Sequence, residues 1–322
     1  MNPRLTVVTG GRGGWFCRAD AMAAGYSDSE IRRRVRQGRW TRLCRDAYAE
    51  VGVPGDGDLP WERAERVHKL LTRAIVHRLG EGVAVSHQSA AIQFGLPSWG
   101  LDLARVQVTR STGRVRSDRS MQTHRSPLAP GDARTLDGRR MTSPARAVVE
   151  VACSTSYQVG VVVADAALRA GLVQADELIA TADRFQHWTG SPAARAAVRF
   201  ADGLSESVGE SRLRVLMANQ GLPAPRLQAE IHAGTGELVG RVDFLLEPRL
   251  VVEFDGVQKY GVQPRSALVA EKWREDRLRE LGYSFVRVGW ADLNHPDQVA
   301  HRLRRALDRR TSPGSLNSYV GP

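Results

Sequence analysis

Three carboxylates are spaced so that a β-hairpin would bring them to one edge of a sheet: Asp243, Glu253 and Asp255. Two apolar runs, residues 239–246 and 250–254, flank a Glu-Pro-Arg segment, which predicts two antiparallel strands joined by a short turn. A three-residue turn would set Asp243 directly across from Glu253. Glu253 and Asp255, two positions apart on one strand, would share a face.

Carboxylates held this close repel one another unless a cation neutralises them, because desolvation and like charge both disfavour the ionised form. A ligand set made only of oxygen atoms suits Mg²⁺ or Mn²⁺ rather than zinc. We therefore expect Asp243, Glu253 and Asp255 to bind magnesium or manganese and to support hydrolysis of a phosphodiester. The alternative is that these acids are solvated groups at the exposed rim of the hairpin.

The sequence DFLLEPRLVVEFDG, followed by a basic residue and a helix ending in LRELGY, resembles the very-short-patch-repair-like nuclease domains. These include the domain-of-unknown-function 559 (DUF559) proteins of the PD-(D/E)XK superfamily. The resemblance covers about residues 204–308 and implies a restriction-endonuclease-like mixed sheet, flanked by helices, that cleaves DNA with a bound metal ion. Asp255 stands where that pattern has lysine, so the resemblance leaves Lys259, in the following loop, to reach back to the site.

A predicted helix over residues 205–220 precedes the hairpin. Glu210, Leu213 and Met217 share one stripe of that helix, so Glu210 points toward the face that packs. The nuclease family has a glutamate on the same helix, and the resemblance implies a catalytic role for Glu210. A surface glutamate at the edge of the stripe is the alternative.

Composition is that of a globular protein, with 322 residues, 42% hydrophobic and 25% charged. The formal net charge of +11 comes mostly from arginine, whose guanidinium matches phosphate geometry, so a nucleic acid is the expected partner. A high-GC genome would also raise arginine content. Apolar runs are too short to span a membrane and no secretory signal pattern is present, which predicts a cytoplasmic protein without a membrane partner. Nucleotide-binding and zinc motifs are absent, so no small-molecule cofactor is expected.

The sequence of the N-terminal region predicts a winged helix-turn-helix. Residues 16–25 predict a short helix after a loose lead-in over 1–14, and Ser27 with Glu30 forms a capping box that opens an arginine-rich helix over 28–37. A hairpin over 40–51 would form the wing. The candidate DNA contacts are Arg32, Arg36, Arg39 and Arg42. The alternative is a solvated arginine face on a packing helix.

Residues 16–52 resemble the N-terminal antitoxin-like domain of the abortive-infection AbiEi family. The resemblance implies DNA contact or transcriptional autoregulation, with a toxin-like protein as a candidate partner. Beyond this region, helices are predicted at 61–78 and 159–170, and Ser143 followed by proline predicts the start of a third helix over 145–153. Strands are predicted at 105–109 and 121–124, and the loop between them carries Arg110, Arg114, Arg116 and Arg119 as a second candidate DNA contact. His87 and His124 have no neighbour at metal-binding spacing and are predicted to be isolated, structural residues.

The sequence therefore predicts an α/β (α+β) protein in four parts. These are a winged helix over 1–52, a middle α+β domain over 53–203, a nuclease-like domain over 204–310 and a disordered tail over 311–322. The functional hypothesis is a metal-dependent DNA endonuclease or nickase delivered by its own winged helix. A DNA-binding regulator with an inactive nuclease-like domain is the alternative, and a ribonuclease is a third possibility. The sequence does not indicate an oligomeric state.

Overall fold

A computed structural model describes residues 1–51, 59–256 and 265–311 of the chain. In chain order the helices and strands are α1 (Pro3–Gly11), β1 (Phe16–Cys17), α2 (Arg18–Ala23), α3 (Asp28–Arg36), β2 (Thr41–Cys44), β3 (Ala47–Ala49), α4 (Pro60–Leu79), β4 (Ala84–Val85), α5 (His87–Gln93), β5 (Val106–Arg110), β6 (Met121–Arg125), β7 (Ala133–Leu136), β8 (Arg139–Thr142), α6 (Pro144–Ser154), α7 (Tyr157–Arg169), α8 (Ala175–Arg184), α9 (Ser191–Phe200), α10 (Val208–Asn219), β9 (Arg226–His232), β10 (Leu238–Leu246), β11 (Leu250–Asp255), α11 (Arg265–Glu280), β12 (Ser284–Gly289) and α12 (Pro296–Thr311). The mixed α/β class is confirmed. Within the described ranges, no helix is both long enough and apolar enough to span a lipid bilayer.

The chain divides into two compact units, Met1–Ala201 and Asp202–Pro322. The predicted division of the first unit between residues 52 and 53 lies outside the described residues and stays a prediction. Of the disordered tail predicted over 311–322, Thr311 is the last residue of α12 and the rest lies outside the described residues.

The first unit begins with a three-stranded antiparallel sheet in the order β1-β3-β2, packed against α1, α2 and α3, as expected for a winged helix. An aromatic cluster forms its core, where the ring of Trp40 lies 4.7 Å from Phe16 and 5.0 Å from Tyr26. The predicted loose lead-in is wrong, because α1 inserts the fully buried Leu5 into this core. Phe16, predicted to be helical, instead pairs with Tyr48 across β1 and β3.

The rest of the first unit joins a five-stranded mixed sheet, in the order β6-β5-β4-β8-β7, to a group of helices. The largest apolar cluster lies among α5, α6, α7, α8 and α9 and is rich in valine and alanine. Strands β5 and β6 and helices α4, α6 and α7 confirm their predictions within two residues at each end. Strands β7 and β8 were not predicted, because they are short and polar and are ordered by pairing with each other and with β4.

The second unit is a four-stranded mixed sheet in the order β12-β11-β10-β9. The predicted hairpin is confirmed: β10 and β11 pair antiparallel from Leu246 opposite Leu250 to Phe244 opposite Val252. Helices α10 and α12 pack on one face of the sheet, and α11 packs on the other through Leu278. Strand β9, which pairs with β10, was not predicted.

Candidate functional site

Helix α3 is fixed at its first turn by the predicted capping box. The backbone N–H of Ser27 donates to the Glu30 carboxylate at 2.8 Å, and the N–H of Glu30 donates to the Ser27 hydroxyl at 3.3 Å. Ile31 is buried on the inner side of the helix, among the aromatic residues of the core. These contacts set which face of α3 is turned to solvent.

The outer face of α3 and the adjoining wing are strongly basic. The exposed arginines of this surface, which we call the α3–wing surface, are Arg32, Arg33, Arg36, Arg39 and Arg42. All four residues predicted from the sequence belong to it, and Arg33 is added. Arg34 does not belong, because its guanidinium packs over the rings of Tyr26 at 4.9 Å and Trp40 at 5.2 Å. The arginine-rich helix is therefore partly structural and partly available for a ligand.

A second basic surface lies beside the loop between β5 and β6. Arg114 and Arg116, both predicted, line a cavity of about 770 Å³ together with Arg78 and Arg110. Arg110 was also predicted as part of this basic loop, whereas Arg119, the fourth predicted arginine, does not line the cavity. Arg78 could not be predicted from the sequence, because it comes from the end of α4, more than thirty residues earlier. Asp118 lies in the same cavity and pairs with Arg78 at 3.6 Å.

In the second unit, Asp243 directly precedes Phe244, the last residue of β10 that pairs with β11. Its position corresponds to that of Glu253 on β11. The Asp243 carboxylate accepts the backbone N–H of Phe254 at 2.9 Å. Burial, with a smaller contribution from the nearby charges of Glu210, Glu253 and Glu206, raises the pKa of Asp243 to about 6, and the Phe254 hydrogen bond opposes this rise. Asp243 is thus the centre of an acidic cluster with Glu206, Glu210 and Glu253.

Glu210 reaches this cluster from the first turn of α10. Its carboxylate accepts the backbone N–H of Glu206 at 2.8 Å and the side-chain amide of Gln228 at 3.1 Å, and it is buried as predicted. The preceding residue, Gly209, lies so close to the Phe254 ring that a Cβ atom there would stand 1.9 Å from it. The absence of a side chain at Gly209 lets α10 approach the sheet and carries Glu210 toward Asp243. The hydrogen bonds of Glu210 also stabilise the helix start.

Glu253 is neutralised by arginine within the second unit. The guanidinium of Arg274, on α11, donates to Glu253 at 2.7 Å and to Glu271 at 2.6 Å. Arg287 on β12 adds a longer contact to Glu253 at 3.4 Å. Hydrogen bonds to Glu271 and Glu253 raise the pKa of Arg274 above its ordinary value. The sequence gives no signal that Arg274 contacts the hairpin.

The remaining predicted acid and base do not complete a metal site. Asp255 is exposed at the end of β11, where it pairs with Gly289 of β12, and Lys259 lies outside the described residues. In the part of the chain that the structure describes, no group of three or more His, Cys, Asp or Glu side chains is placed to hold a metal ion. Asp243 and Glu210 fit a divalent ion through charge and oxygen chemistry, but Glu253 does not while it is paired with Arg274. The ligand set expected from the sequence is therefore incomplete in this arrangement of side chains.

The chain is similar to one protein family over a short N-terminal segment and to two individual proteins over a longer segment. Residues 10–51 match the family model described as "Transcriptional regulator, AbiEi antitoxin". Two proteins of Mycobacterium tuberculosis, named "Uncharacterized protein MT2308" and "Uncharacterized protein Rv2248", are each 34% identical over 181 residues, which is 56% of this chain. The aligned part spans 66% of the length of each relative. The family match coincides with the winged-helix region that carries the α3–wing surface.

Proposed function

We propose that the protein is a DNA-binding transcriptional regulator of the AbiEi antitoxin type, which uses α3 as its recognition helix. The observation that carries this proposal is the exposed arginine face of α3, held outward by the capping box and by buried Ile31. Helix-turn-helix proteins place such a helix in the major groove, and the hairpin of β2 and β3 then lies beside the backbone as a wing. A toxin-like protein partner is part of the proposal and rests on the description of the matched family alone.

The charge distribution supports a phosphate-binding role for the α3–wing surface. Arginine side chains neutralise phosphates and release counterions, so affinity falls with salt at a slope of about 0.9 per phosphate contact. Arg32 and Arg36 are one helical turn apart and both exposed, so they can contact the same stretch of backbone. The basic cavity lined by Arg114 and Arg116 offers a second contact in the same unit.

Replacing both Arg32 and Arg36 with alanine should weaken binding to duplex DNA from upstream of the protein's own gene at least tenfold at moderate salt. The double variant should also reduce the slope of log K against log salt by about 1.8, because two phosphate contacts are lost. Fluorescence anisotropy at several salt concentrations measures both quantities.

The matched control is Arg169→Ala, an exposed arginine at the end of α7, which should leave affinity and slope unchanged. An equal loss of DNA affinity in this control would mean that the effect comes from the net charge of the protein and not from the position of Arg32 and Arg36. Unchanged binding in the Arg32, Arg36 double variant would exclude α3 as the recognition helix.

As a second candidate, we propose metal-dependent cleavage of DNA at the acidic cluster, with Mg²⁺ or Mn²⁺ bound at Asp243. The observation that favours it is the half-buried Asp243, whose neighbouring glutamates leave negative charge that a divalent ion would neutralise. Glu253 would have to give up its ion pair with Arg274 in order to bind the metal ion. The DUF559 nuclease resemblance and the PD-(D/E)XK pattern belong to this candidate, and Lys259 would have to act from outside the described residues.

A plasmid-nicking assay with Mg²⁺ or Mn²⁺ tests the second candidate. If it holds, Glu253→Gln should reduce nicking at least a hundredfold, because oxyanion and metal ligands contribute on that scale. Asp255→Asn is the comparison, since Asp255 is exposed at the strand end. Nicking that persists in EDTA, or equal rates in wild type and Glu253→Gln, would exclude this active site. RNA offered in the same assay distinguishes a ribonuclease.

A further inference from the structure

Two histidines lie face to face in the first unit. The ring centroids of His87 and His124 are 3.8 Å apart and their planes differ by 20°. The prediction that they are isolated is wrong, because β5 pairs with β6, which carries His124, and also borders α5, which begins at His87. The stacked pair lies between two cavities, of about 550 and about 430 Å³, and lines both. We call the larger one the histidine cavity.

The backbone of His87 is held in a strained conformation by buried charges. Its φ is +52°, in the left-handed region that residues with a Cβ rarely adopt. The Glu150 carboxylate accepts the His87 N–H at 2.9 Å and is itself held by Arg146 at 2.9 Å and by the Thr142 hydroxyl at 3.0 Å. Strain of this kind persists only where surrounding contacts enforce it, and it is common at binding sites.

A buried hydroxyl in the histidine cavity has no hydrogen bond to any residue that the structure describes. Thr109 is fully buried and lines the cavity, and its Oγ1 has no partner among the described residues. An unpaired buried hydroxyl costs about 1–3 kcal/mol, so a partner that arrives with a ligand would recover that cost. Because a hydroxyl can donate or accept, Thr109 does not restrict the ligand by itself.

The two imidazoles restrict the ligand further. Burial lowers the pKa of His87 to about 3 and that of His124 to about 4, so both rings are neutral at pH 7. Nε2 of His124 lies 2.7 Å from the side-chain amide oxygen of Gln107 and donates to it, which leaves Nδ1 of His124 as an acceptor. Nδ1 of His87 lies 3.0 Å from the Ser86 hydroxyl, which can donate or accept, and 3.7 Å from the Glu150 carboxylate, so either nitrogen of His87 can carry the proton. The acceptor on His124 favours a ligand that carries an N–H or O–H donor.

The Glu150 carboxylate lines the histidine cavity, but Arg146 pairs with it at 2.9 Å, so the buried charges of the cavity wall offset each other. Arg146 acts on His87 through its positive charge, and this adds to burial in lowering the pKa of His87. Arg125 is exposed and also lines the cavity, so an anionic group could be bound at its opening. Trp188 contributes an aromatic wall. A volume of about 550 Å³ lies within the range of roughly 300–1,000 Å³ that small-molecule sites occupy.

We propose that the histidine cavity binds a nucleoside monophosphate, with the N–H edge of its base against His87, His124 and Thr109 and its phosphate on Arg125. The base supplies the donor that the acceptor on His124 favours and a flat surface for the Trp188 wall. The phosphate matches the guanidinium at the opening. Such a ligand would make the first unit a nucleotide-responsive module, a property separate from DNA binding by α3.

Isothermal titration calorimetry of the full chain tests this with AMP, GMP, CMP and UMP in turn, and with ribose 5-phosphate and inorganic phosphate. At least one nucleotide should bind at 1:1 stoichiometry with a Kd below about 1 mM, and the two probes without a base should bind at least tenfold more weakly. Arg125→Gln should weaken nucleotide binding about tenfold or more, because a charge-assisted hydrogen bond is lost. Thr109→Val should weaken nucleotide binding about fivefold without lowering the melting temperature, because the hydroxyl has no partner among the described residues.

Arg169→Gln, an exposed arginine outside the cavity lining, is the matched control and should bind as wild type does. Bound nucleotide should also shift the ¹⁵N resonances of Nδ1 of His124 and Nε2 of His87. The proposal is overturned if none of the four nucleotides binds at 5 mM, or if Thr109→Val and Arg125→Gln bind as tightly as wild type. Ribose 5-phosphate binding as tightly as the nucleotides would also overturn it, since the base would then contribute nothing.

Discussion

Replacing Arg146 with methionine should lower the free energy of unfolding of the first unit by about 3–5 kcal/mol, because one partner of a buried charge network is removed. The Arg146 side chain is fully buried and donates to Asp132 at 2.7 Å and to Glu150 at 2.9 Å. Asp132 keeps a second partner in Arg184, so Glu150, whose side chain is 0% exposed, is the carboxylate left without a cation. Urea denaturation followed by circular dichroism at pH 8 measures the loss.

The loss in Arg146→Met should be smaller at pH 5. Burial raises the pKa of Glu150 above its ordinary value, and Arg146 opposes that rise, so its removal raises the pKa further. A folded-state pKa above the unfolded one means that the folded protein binds more protons. Stability therefore falls as pH rises through that window. Adding Glu150→Gln should restore most of the stability at pH 8, because the unpaired charge is gone.

Arg195→Met is the matched control for this experiment. Arg195 pairs with Asp183 at 2.7 Å, but both side chains are more than a third exposed, so its loss should cost less than about 1 kcal/mol. If Arg146→Met were no less stable than Arg195→Met, the buried network would not contribute as proposed. The same network holds His87 through Glu150, so Arg146→Met should also weaken the binding of any ligand in the histidine cavity.

The sequence predicted those helices and strands that are fixed by contacts between residues close together in the chain. Alternating apolar residues around a Glu-Pro-Arg turn predicted the hairpin, and its pairing runs in the expected register to Phe244 opposite Val252. Ser27 and Glu30 predicted the start of α3, and Ser143 followed by proline predicted the start of α6. In each case the hydrogen bonds that fix the element join residues a few positions apart.

Contacts between distant segments had no such signal. Arg274 of α11 meets Glu253 of β11 from 21 residues along the chain, and His87 meets His124 through two neighbouring strands and a helix. Leu5 orders α1 only because an aromatic core exists to receive it. The sequence identified Asp243, Glu210 and Glu253 as one acidic group, but periodicity does not reveal that an arginine already neutralises one of them. Such pairs depend on tertiary packing, which the spacing of residues in the sequence does not reveal.

Replacing Asp243 with asparagine should stabilise the second unit at pH 8 by about 1–2 kcal/mol. Asparagine keeps an oxygen that can accept the Phe254 N–H, now 2.9 Å from the carboxylate, and it removes the charge. Burial raises the pKa of Asp243 from its ordinary value of 3.8 to about 6. At about 1.4 kcal/mol per pKa unit this corresponds to roughly 3 kcal/mol, which solvent contact reduces. Thermal and urea unfolding of the two proteins measure the difference.

The sign follows from proton binding. Between pH 4 and pH 6 the folded wild type holds a proton at Asp243 more tightly than the unfolded chain does, so wild-type stability falls as pH rises through this window. The advantage of Asp243→Asn should therefore be near zero at pH 4 and complete above pH 6.5. Asp255→Asn, at an exposed position of the same hairpin, should change stability by less than about 0.5 kcal/mol at either pH.

Magnesium then separates the two uses of the acidic cluster. If Asp243 binds a divalent ion, 10 mM MgCl₂ at pH 8 should raise the melting temperature of wild type and leave Asp243→Asn unchanged, because a ligand that binds only the folded state stabilises it. If the second unit is a scaffold in which Arg274 and Arg287 already neutralise Glu253, magnesium should change neither protein, and Asp243→Asn should remain the more stable of the two. A stabilisation by magnesium that is equal in both proteins would place the ion elsewhere and remove the basis for the nuclease candidate.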